Sequence, residues 1–157
     1  MNIEQSNRDF AFLEPERIIE HALRYAKAPV TTTNFGPHEA VILHMVTQIK
    51  PDMKVVWIDS GYNTPHTYKV AQQLIDKLNL NIEVYTPKVS AARCDASMGG
   101  IPSVDDPRHA EFTEQFKLEP FSRAMREQAA DAWFTAVRSE QTEFRKEMEV
   151  FGEGPNG

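Results

Sequence analysis

The chain has 157 residues, enough for one domain with a buried core, and its 41% hydrophobic and 25% charged residues are typical of a globular protein. Its formal net charge of −6 argues against nonspecific nucleic-acid binding, which needs a positive field. The single cysteine excludes an internal disulfide and favours a reducing compartment, and no apolar run is long enough for a signal core or a membrane span. We therefore expect one cytoplasmic domain over residues 1–157, without a nucleic-acid or membrane partner.

Helices and strands alternate in the predicted order of elements. The pattern predicts helices over 15–26, from 37 onward and over 64–79, and strands over 30–35, 54–61 and 81–87. The apolar run that begins at Lys54 is typical of a strand buried on both faces. Because the connections are short, this alternation predicts an α/β fold, a parallel sheet flanked by helices on both faces.

The alternating pattern weakens between residues 88 and 112, where Gly99-Gly100, Pro102 and Pro107 interrupt it. We expect a long, partly ordered, mobile loop here, of the kind that often lies over a site. A helix over about 120–130 and a strand over 132–137 then complete the alternation. The last residues, about 146–157, predict an irregular tail, apart from a short helix around 144–150.

Polar residues follow three of the predicted strands. Since the carboxyl ends of parallel strands meet at one edge of a sheet, these residues are expected to lie together. Hydroxyls and backbone N–H groups at a helix N-terminus bind oxyanions, and arginine pairs with them bidentately. N-caps, a plain turn and surface ion pairs are the alternative interpretations. The candidate binding residues are Thr32, Thr33, Asn34, Phe35, Gly36, Asp59, Ser60, Gly61, Tyr62, Arg138 and Arg145.

Four motifs in the chain resemble those of the 3′-phosphoadenosine-5′-phosphosulfate (PAPS) reductases. Asn34–Gly36 resembles the family's Ser-Phe-Gly loop, and Asp59–Tyr62 resembles its Asp-Thr-Gly-Tyr. Lys117–Pro120, followed by Arg123, resembles Lys-Val-Glu-Pro followed by an arginine, and Trp133–Gln141 resembles Trp-Phe-Ala-Gly-Leu-Arg-Arg-Glu-Gln. The order and spacing of these motifs imply the adenine nucleotide α-hydrolase-like fold, which is Rossmann-like, and a sulfonucleotide-binding domain.

The resemblance also implies a reaction of sulfate assimilation. Family members transfer the sulfonate of PAPS to a cysteine thiolate, and thioredoxin, the reductant and partner, then releases sulfite. Their nucleophile lies in a Glu-Cys-Gly-Leu-His tail, which is not matched in these residues, so we expect no catalytic residue of that kind here. Cys94 is the other candidate nucleophile, but its place in the middle segment, between Arg93 and Asp95, favours an inert thiol.

No bound cofactor is expected. A subgroup of the family reduces adenosine 5′-phosphosulfate with a 4Fe–4S cluster, held partly by a Cys-Cys pair just before the Lys-Val-Glu-Pro motif. The chain has no cysteine at that position, so we expect no iron–sulfur cluster. The five histidines have no metal-ligand spacing with cysteines or carboxylates, so no metal site is expected.

Two alternatives to a reductase stay open. The first is a non-catalytic, truncated paralogue or subunit that binds nucleotide, an interpretation that the unmatched tail supports. The second is an ATP-pyrophosphatase-type adenylating enzyme, a group whose first loop usually reads Ser-Gly-Gly-x-Asp-Ser, unlike residues 33–38 here. The sequence also leaves a homodimer open.

Overall fold

The chain folds around one parallel sheet in a computed structural model that describes residues 1–10 and 12–154. The strands are β1 (Pro29–Thr33), β2 (Lys54–Ile58), β3 (Asn81–Tyr85) and β4 (Ala132–Phe134). The helices are α1 (Ile3–Phe10), α2 (Pro15–Leu23), α3 (Glu39–Ile49), α4 (Pro65–Leu78), α5 (Ala91–Met98), α6 (His109–Thr113), α7 (Glu119–Glu127) and α8 (Glu143–Lys146). A π-helical stretch, Glu114–Leu118, joins α6 to α7, and a 3-10 turn, Ser139–Gln141, precedes α8. All pairs are parallel, in the order β3-β2-β1-β4, which confirms the predicted α/β fold.

Strand β2 shows why the sheet needs helices on both sides. Val55 and Trp57 are buried in one cluster with Ala71 of α4, and Val56 is buried in another with Met125 of α7. Successive side chains of a strand point to opposite faces, so the apolar run supplies both clusters. Each fully buried side chain of this size contributes about 1.5–3 kcal/mol by leaving water.

Polar contacts hold the first helix, α1, which the sequence pattern did not predict. Asn7 donates from Nδ2 to the carbonyl of Phe151 (2.8 Å) and accepts from its backbone N–H at Oδ1 (2.9 Å). Oγ of Ser6 lies 3.0 Å from Nε2 of His21. The ring of Phe10 stacks on the His21 imidazole, with the two ring centroids 3.7 Å apart. These contacts tie the start of the chain to residue 151. No helix or strand follows α8 up to residue 154, and the rest of the predicted tail lies outside the described residues.

The middle segment is more regular than predicted. Residues 88–112 include α5 and most of α6, so the expectation of one long loop is wrong in that respect. Ser90 caps α5 by accepting from the N–H of Arg93 (3.3 Å), and the helix ends at Gly99, whose φ is +78°. These are ordinary helix start and stop residues. The mobility of the segment stays a prediction.

The predicted strand over 132–137 ends at Phe134. Its last pair with β1 joins Phe134 to Thr31, after which the chain leaves the sheet. Among the described residues β4 pairs with β1 alone, although β1 itself continues two residues further, to Thr33. The predicted helix over 15–26 is also shorter, since α2 ends at Leu23.

Candidate functional site

The sheet register brings three of the loops to one edge. Thr33 pairs with Trp57 and Ile58 pairs with Tyr85, so β1, β2 and β3 end side by side. The backbone N–H of Asp59 donates to the carbonyl of Tyr85 (2.9 Å), which extends the β2–β3 contact by one residue. Residues 33–36 and 59–62 therefore leave the sheet at neighbouring positions, where ligands of open parallel sheets bind.

The loop after β1, residues 33–36, has a tight curl centred on Phe35. The φ of Phe35 is +56°, a left-handed conformation that costs an L-residue roughly 1–2 kcal/mol. Its ring is 5% exposed and meets the ring of Trp57 edge to face, with centroids 4.9 Å apart. Burying an aromatic ring contributes more than this strain costs. Packing of Phe35 therefore holds the loop in a shape that its backbone alone would not adopt.

The curled loop directs its donors at one carboxylate oxygen, Oε2 of Glu39. That atom accepts from the hydroxyl of Thr33 (2.7 Å), the N–H of Asn34 (2.6 Å) and the N–H of Gly36 (3.3 Å). Glu39 is the first residue of α3, where the helix dipole favours negative charge. The loop thus already holds an oxyanion, and it is the chain's own. The signal in the sequence was an acidic residue in the first helical turn after Gly-Pro, too common a feature to single out Glu39.

The threonines before the loop have different partners. The hydroxyl of Thr31 donates to the carbonyl of Phe134 (3.1 Å), and that of Thr32 accepts from Nε1 of Trp133 (2.9 Å). Both hydroxyls therefore join β1 to β4. Of the three threonines, Thr33 is the one whose described bonds lie in the loop. A role for Thr32 in ligand binding stays a prediction.

The loop after β2 is organised by Asp59. Its Oδ1 accepts from the N–H of Gly61 (3.0 Å), from Nδ2 of Asn63 (3.0 Å) and from the hydroxyl of Tyr68 (2.7 Å). Burial raises the pKa of Tyr68, and its hydrogen bond to Asp59 raises it further. Ser60 accepts from the N–H of Tyr62 (3.2 Å). Asp59 thus shapes its own loop, with Gly61 in a left-handed conformation at φ +77°.

Tyr62 connects this loop to α5. Its hydroxyl lies 2.8 Å from Oδ1 of Asp95 and 3.1 Å from the carbonyl of Ala91. Burial raises the pKa of Tyr62 far above its usual range, with further contributions from Cys94 and Asp95. Its ring faces Phe116 at 5.5 Å, so the residue is part of a packed cluster as well as of the site's edge. The thiol of Cys94 lies in the same cluster and is 1% exposed.

The two predicted arginines lie in different surroundings. Arg138 donates from Nε to Oε1 of Glu140 (2.7 Å), and this bond lowers the pKa of that carboxyl. His38, the residue before α3, makes a smaller contribution to the lowering of the Glu140 pKa. Arg145 donates to the side-chain carbonyl of Gln141 and lines a groove of about 550 Å³ along β4. Within residues 1–10 and 12–154, no hydrogen bond joins Arg145 to the β1 loop, and its binding role stays a prediction.

Two cations at the end of β3 were not among the predicted site residues. Arg123 donates to the carbonyl of Thr86 (2.7 Å) and, through Nε, to Glu119 (3.1 Å), and Lys88 lies 3.0 Å from the same carboxylate. Arg123 lowers the pKa of Glu119 most strongly, followed by Lys88. The helix α7 carries Arg123 to the end of β3, a long-range placement that sequence spacing does not show. These groups add positive charge at the carboxyl edge.

Across residues 1–10 and 12–154, no group of three or more histidine, cysteine, aspartate or glutamate side chains is arranged to hold a metal ion. In the same part of the chain, none of the helices combines the length and the apolar character needed to cross a membrane.

The comparison with known proteins identifies relatives. The family model described as phosphoadenosine phosphosulfate reductase domain matches residues 28–155. The phosphoadenosine 5′-phosphosulfate reductase of Synechococcus sp. is 39% identical over 132 residues, which is 82% of this chain and 56% of the relative. The reductase of the same description from Synechocystis sp. is 41% identical over 120 residues, which is 76% of this chain and 48% of the relative. The chain therefore spans about half the length of these curated relatives.

A solved structure is also similar. The crystal structure of phosphoadenylyl-sulfate (PAPS) reductase from Candida auris, a phosphate complex, matches with a TM-score of 0.76 and 25% sequence identity. The match covers 87% of this chain and 66% of that chain. Both comparisons agree with the four motifs in the sequence.

Proposed function

The chain belongs to the phosphoadenosine phosphosulfate reductase domain family, and on that premise we propose that it binds the sulfonucleotide PAPS at the carboxyl edge of its sheet. The observation that carries this proposal is the β1 loop, which binds an oxyanion through Thr33, Asn34 and Gly36. Phosphate and sulfate oxygens accept the same kind of hydrogen bond as a carboxylate. The solved relative from Candida auris is a phosphate complex, which supports an anion site in this fold.

Each loop has a part in the proposed complex. Residues 33–36 bind the phosphosulfate end, and residues 59–62 border the nucleotide. The positive charge of Arg138, Lys88 and Arg123 offsets the charge of the ligand, in a chain whose formal net charge is −6. Arg145 joins them only if the segment after β4 moves toward the β1 loop.

The proposed reaction is the family's reduction of PAPS. A thiolate attacks the sulfur of PAPS, the bond between that sulfur and the bridging oxygen breaks, and adenosine 3′,5′-bisphosphate leaves. Reduced thioredoxin, the proposed partner, then supplies the two electrons that release sulfite and becomes a disulfide. The thiol of Cys94 is buried among Phe112 and Phe116, so the residues described here contribute binding and positioning of the substrate rather than the attacking thiolate. A single cysteine supports a reducing, cytoplasmic location.

Calorimetric titration with adenosine 3′,5′-bisphosphate tests the binding step, with AMP and ATP as comparison ligands. We expect selective binding of the bisphosphate. Thr33→Val should weaken it roughly 10- to 100-fold, since a hydrogen bond to a charged group is worth about 1.5–3 kcal/mol. Thr31→Val is the matched control because that hydroxyl bonds to β4, and it should leave affinity unchanged. Absence of binding, or equal binding of ATP, would contradict the proposal.

The burial of Cys94 favours a second candidate, nucleotide binding without chemistry. Sulfite release from PAPS with reduced thioredoxin separates the two. Release that disappears in Cys94→Ser would assign the thiol to this residue. Binding of the bisphosphate without release would support the non-catalytic alternative.

A further inference from the structure

We propose that Glu39 is an internal competitor for the ligand of the β1 loop, so that an incoming anion must displace its carboxylate before it can bind. This inference rests on the proposed function, because it concerns the same loop.

The competition follows from the shared donors. The hydroxyl of Thr33 and the N–H groups of Asn34 and Gly36 all bond to Oε2 of Glu39, at 2.7, 2.6 and 3.3 Å. A phosphate or sulfate oxygen needs the same donors, and it gains their hydrogen bonds in full only after the carboxylate leaves. Repulsion between the two anions adds to this exclusion.

Two side chains of the protein, Asn34 and Glu39, lie against Gly36 in this loop. A Cβ built on Gly36 would lie 3.9 Å from Cδ of Glu39 and 2.9 Å from Oδ1 of Asn34. Oδ1 of Asn34 itself accepts from the N–H of Gly36 (2.8 Å), so this N–H is shared between the two side chains. The N–H groups that an anion would use are therefore already engaged by Glu39 and Asn34.

The charge of Glu39 has only local compensation. Among the described residues, no lysine, arginine or histidine forms an ion pair with it. The loop donors and the N-terminus of α3 are what stabilise the carboxylate where it lies. Both stabilise a phosphate or sulfate equally well, so removing the carboxylate leaves a loop with free donors and less negative charge.

Two variants of Glu39 test the competition. Glu39→Gln keeps the shape and removes the charge, and Glu39→Ala empties the position. Glu16→Gln, in the first turn of α2, is the control, since the described hydrogen bonds do not involve its side chain. The probes are adenosine 3′,5′-bisphosphate in calorimetry and inorganic sulfate in an NMR titration that follows the amides of Asn34 and Gly36.

We expect the bisphosphate to bind about tenfold more tightly to Glu39→Gln than to the unaltered chain, and more tightly still to Glu39→Ala. The control should keep the original affinity. In both Glu39 variants, sulfate should shift the two amides at lower concentration than it does in the unaltered chain. The amide spectrum also shows whether each variant is folded. If one Glu39 variant is unfolded, the affinity of the other variant tests the competition.

The remaining outcomes separate the two proposals. Equal affinity of all three chains for the bisphosphate, or weaker binding by the Glu39 variants, would overturn the competition and leave the binding proposal standing. If no chain binds the nucleotide but sulfate still shifts the amides more readily in the variants, the competition stands and the nucleotide proposal falls. If no chain binds the bisphosphate and sulfate shifts these amides in none of them, both proposals fall.

Discussion

Replacing Gly61 by alanine is expected to destabilise the protein through two separable effects. At φ +77° an L-residue costs roughly 1–2 kcal/mol. The new Cβ would also lie 3.3 Å from Cβ of Ala91, closer than methyl groups normally pack, and relieving such a contact costs about 1 kcal/mol. Alanine also lowers the conformational entropy of the unfolded chain, which stabilises the folded state by about 0.5 kcal/mol. The free energy of unfolding should therefore fall by about 2 kcal/mol, measured in urea, and Tm by about 4–8 °C.

Gly99 supplies the matched control. Its φ is +78°, almost the same as that of Gly61, but a Cβ there would have no neighbour within 4 Å. Gly99→Ala should therefore cost only about 1 kcal/mol, the strain alone. In a double-mutant cycle, Gly61→Ala and Ala91→Gly should show a coupling of about 1 kcal/mol, since the second change removes the contact. Equal losses at both glycines with no coupling would refute the steric effect, and no loss at either would refute the strain.

Two further predictions concern carboxylates. The side chain of Asp131 accepts hydrogen bonds from two backbone N–H groups just before β1, at 2.8 Å each, and so links the start of β4 to that strand. Asp131→Ala should therefore lower the free energy of unfolding, measured in urea, by about 1–2 kcal/mol. An unchanged value would mean that water replaces the carboxylate. The hydrogen bond from Arg108 lowers the pKa of Asp106 from 3.8 to about 2, so its stabilising effect is present above pH 3.8 and is lost as the pH falls through about 2. NMR titration of the Asp106 carboxyl should show this midpoint, and Arg108→Gln should move the midpoint to higher pH. A midpoint near 3.8 in both chains would show that Arg108 does not lower the pKa of Asp106.

The central strands were predictable because their sequence pattern has one structural explanation. An apolar run such as that of β2 must be covered on both faces, which requires helices on both sides of the sheet. Polar residues that follow such strands then lie at one edge by topology alone. The sequence therefore predicted that residues 33–36 and 59–62 lie at the same edge of the sheet. It did not predict the strand order, because that order depends on contacts between distant parts of the chain.

The helices that prediction missed are held by features that periodicity does not measure. In α1 the buried residues are Ser6 and Asn7, and their partners are His21 and residue 151. An apolar stripe does not explain this helix, and a distant hydrogen bond leaves no local pattern. In α5 the start and stop residues were present, but the glycines and prolines that follow it made the whole segment resemble a loop.

Glu39 illustrates a more general limit of sequence reasoning. A loop proposed to bind an anion directs several backbone donors toward one point, and these donors need a partner when no ligand is bound. Water or a nearby acidic side chain fills that need, and the curl at Phe35 determines that Glu39 is close enough to do so. The conformation of Phe35 depends in turn on its packing against Trp57, a residue of another strand. The motif thus predicts candidate residues for anion binding, whereas the group that occupies the loop without a ligand follows only from the three-dimensional packing.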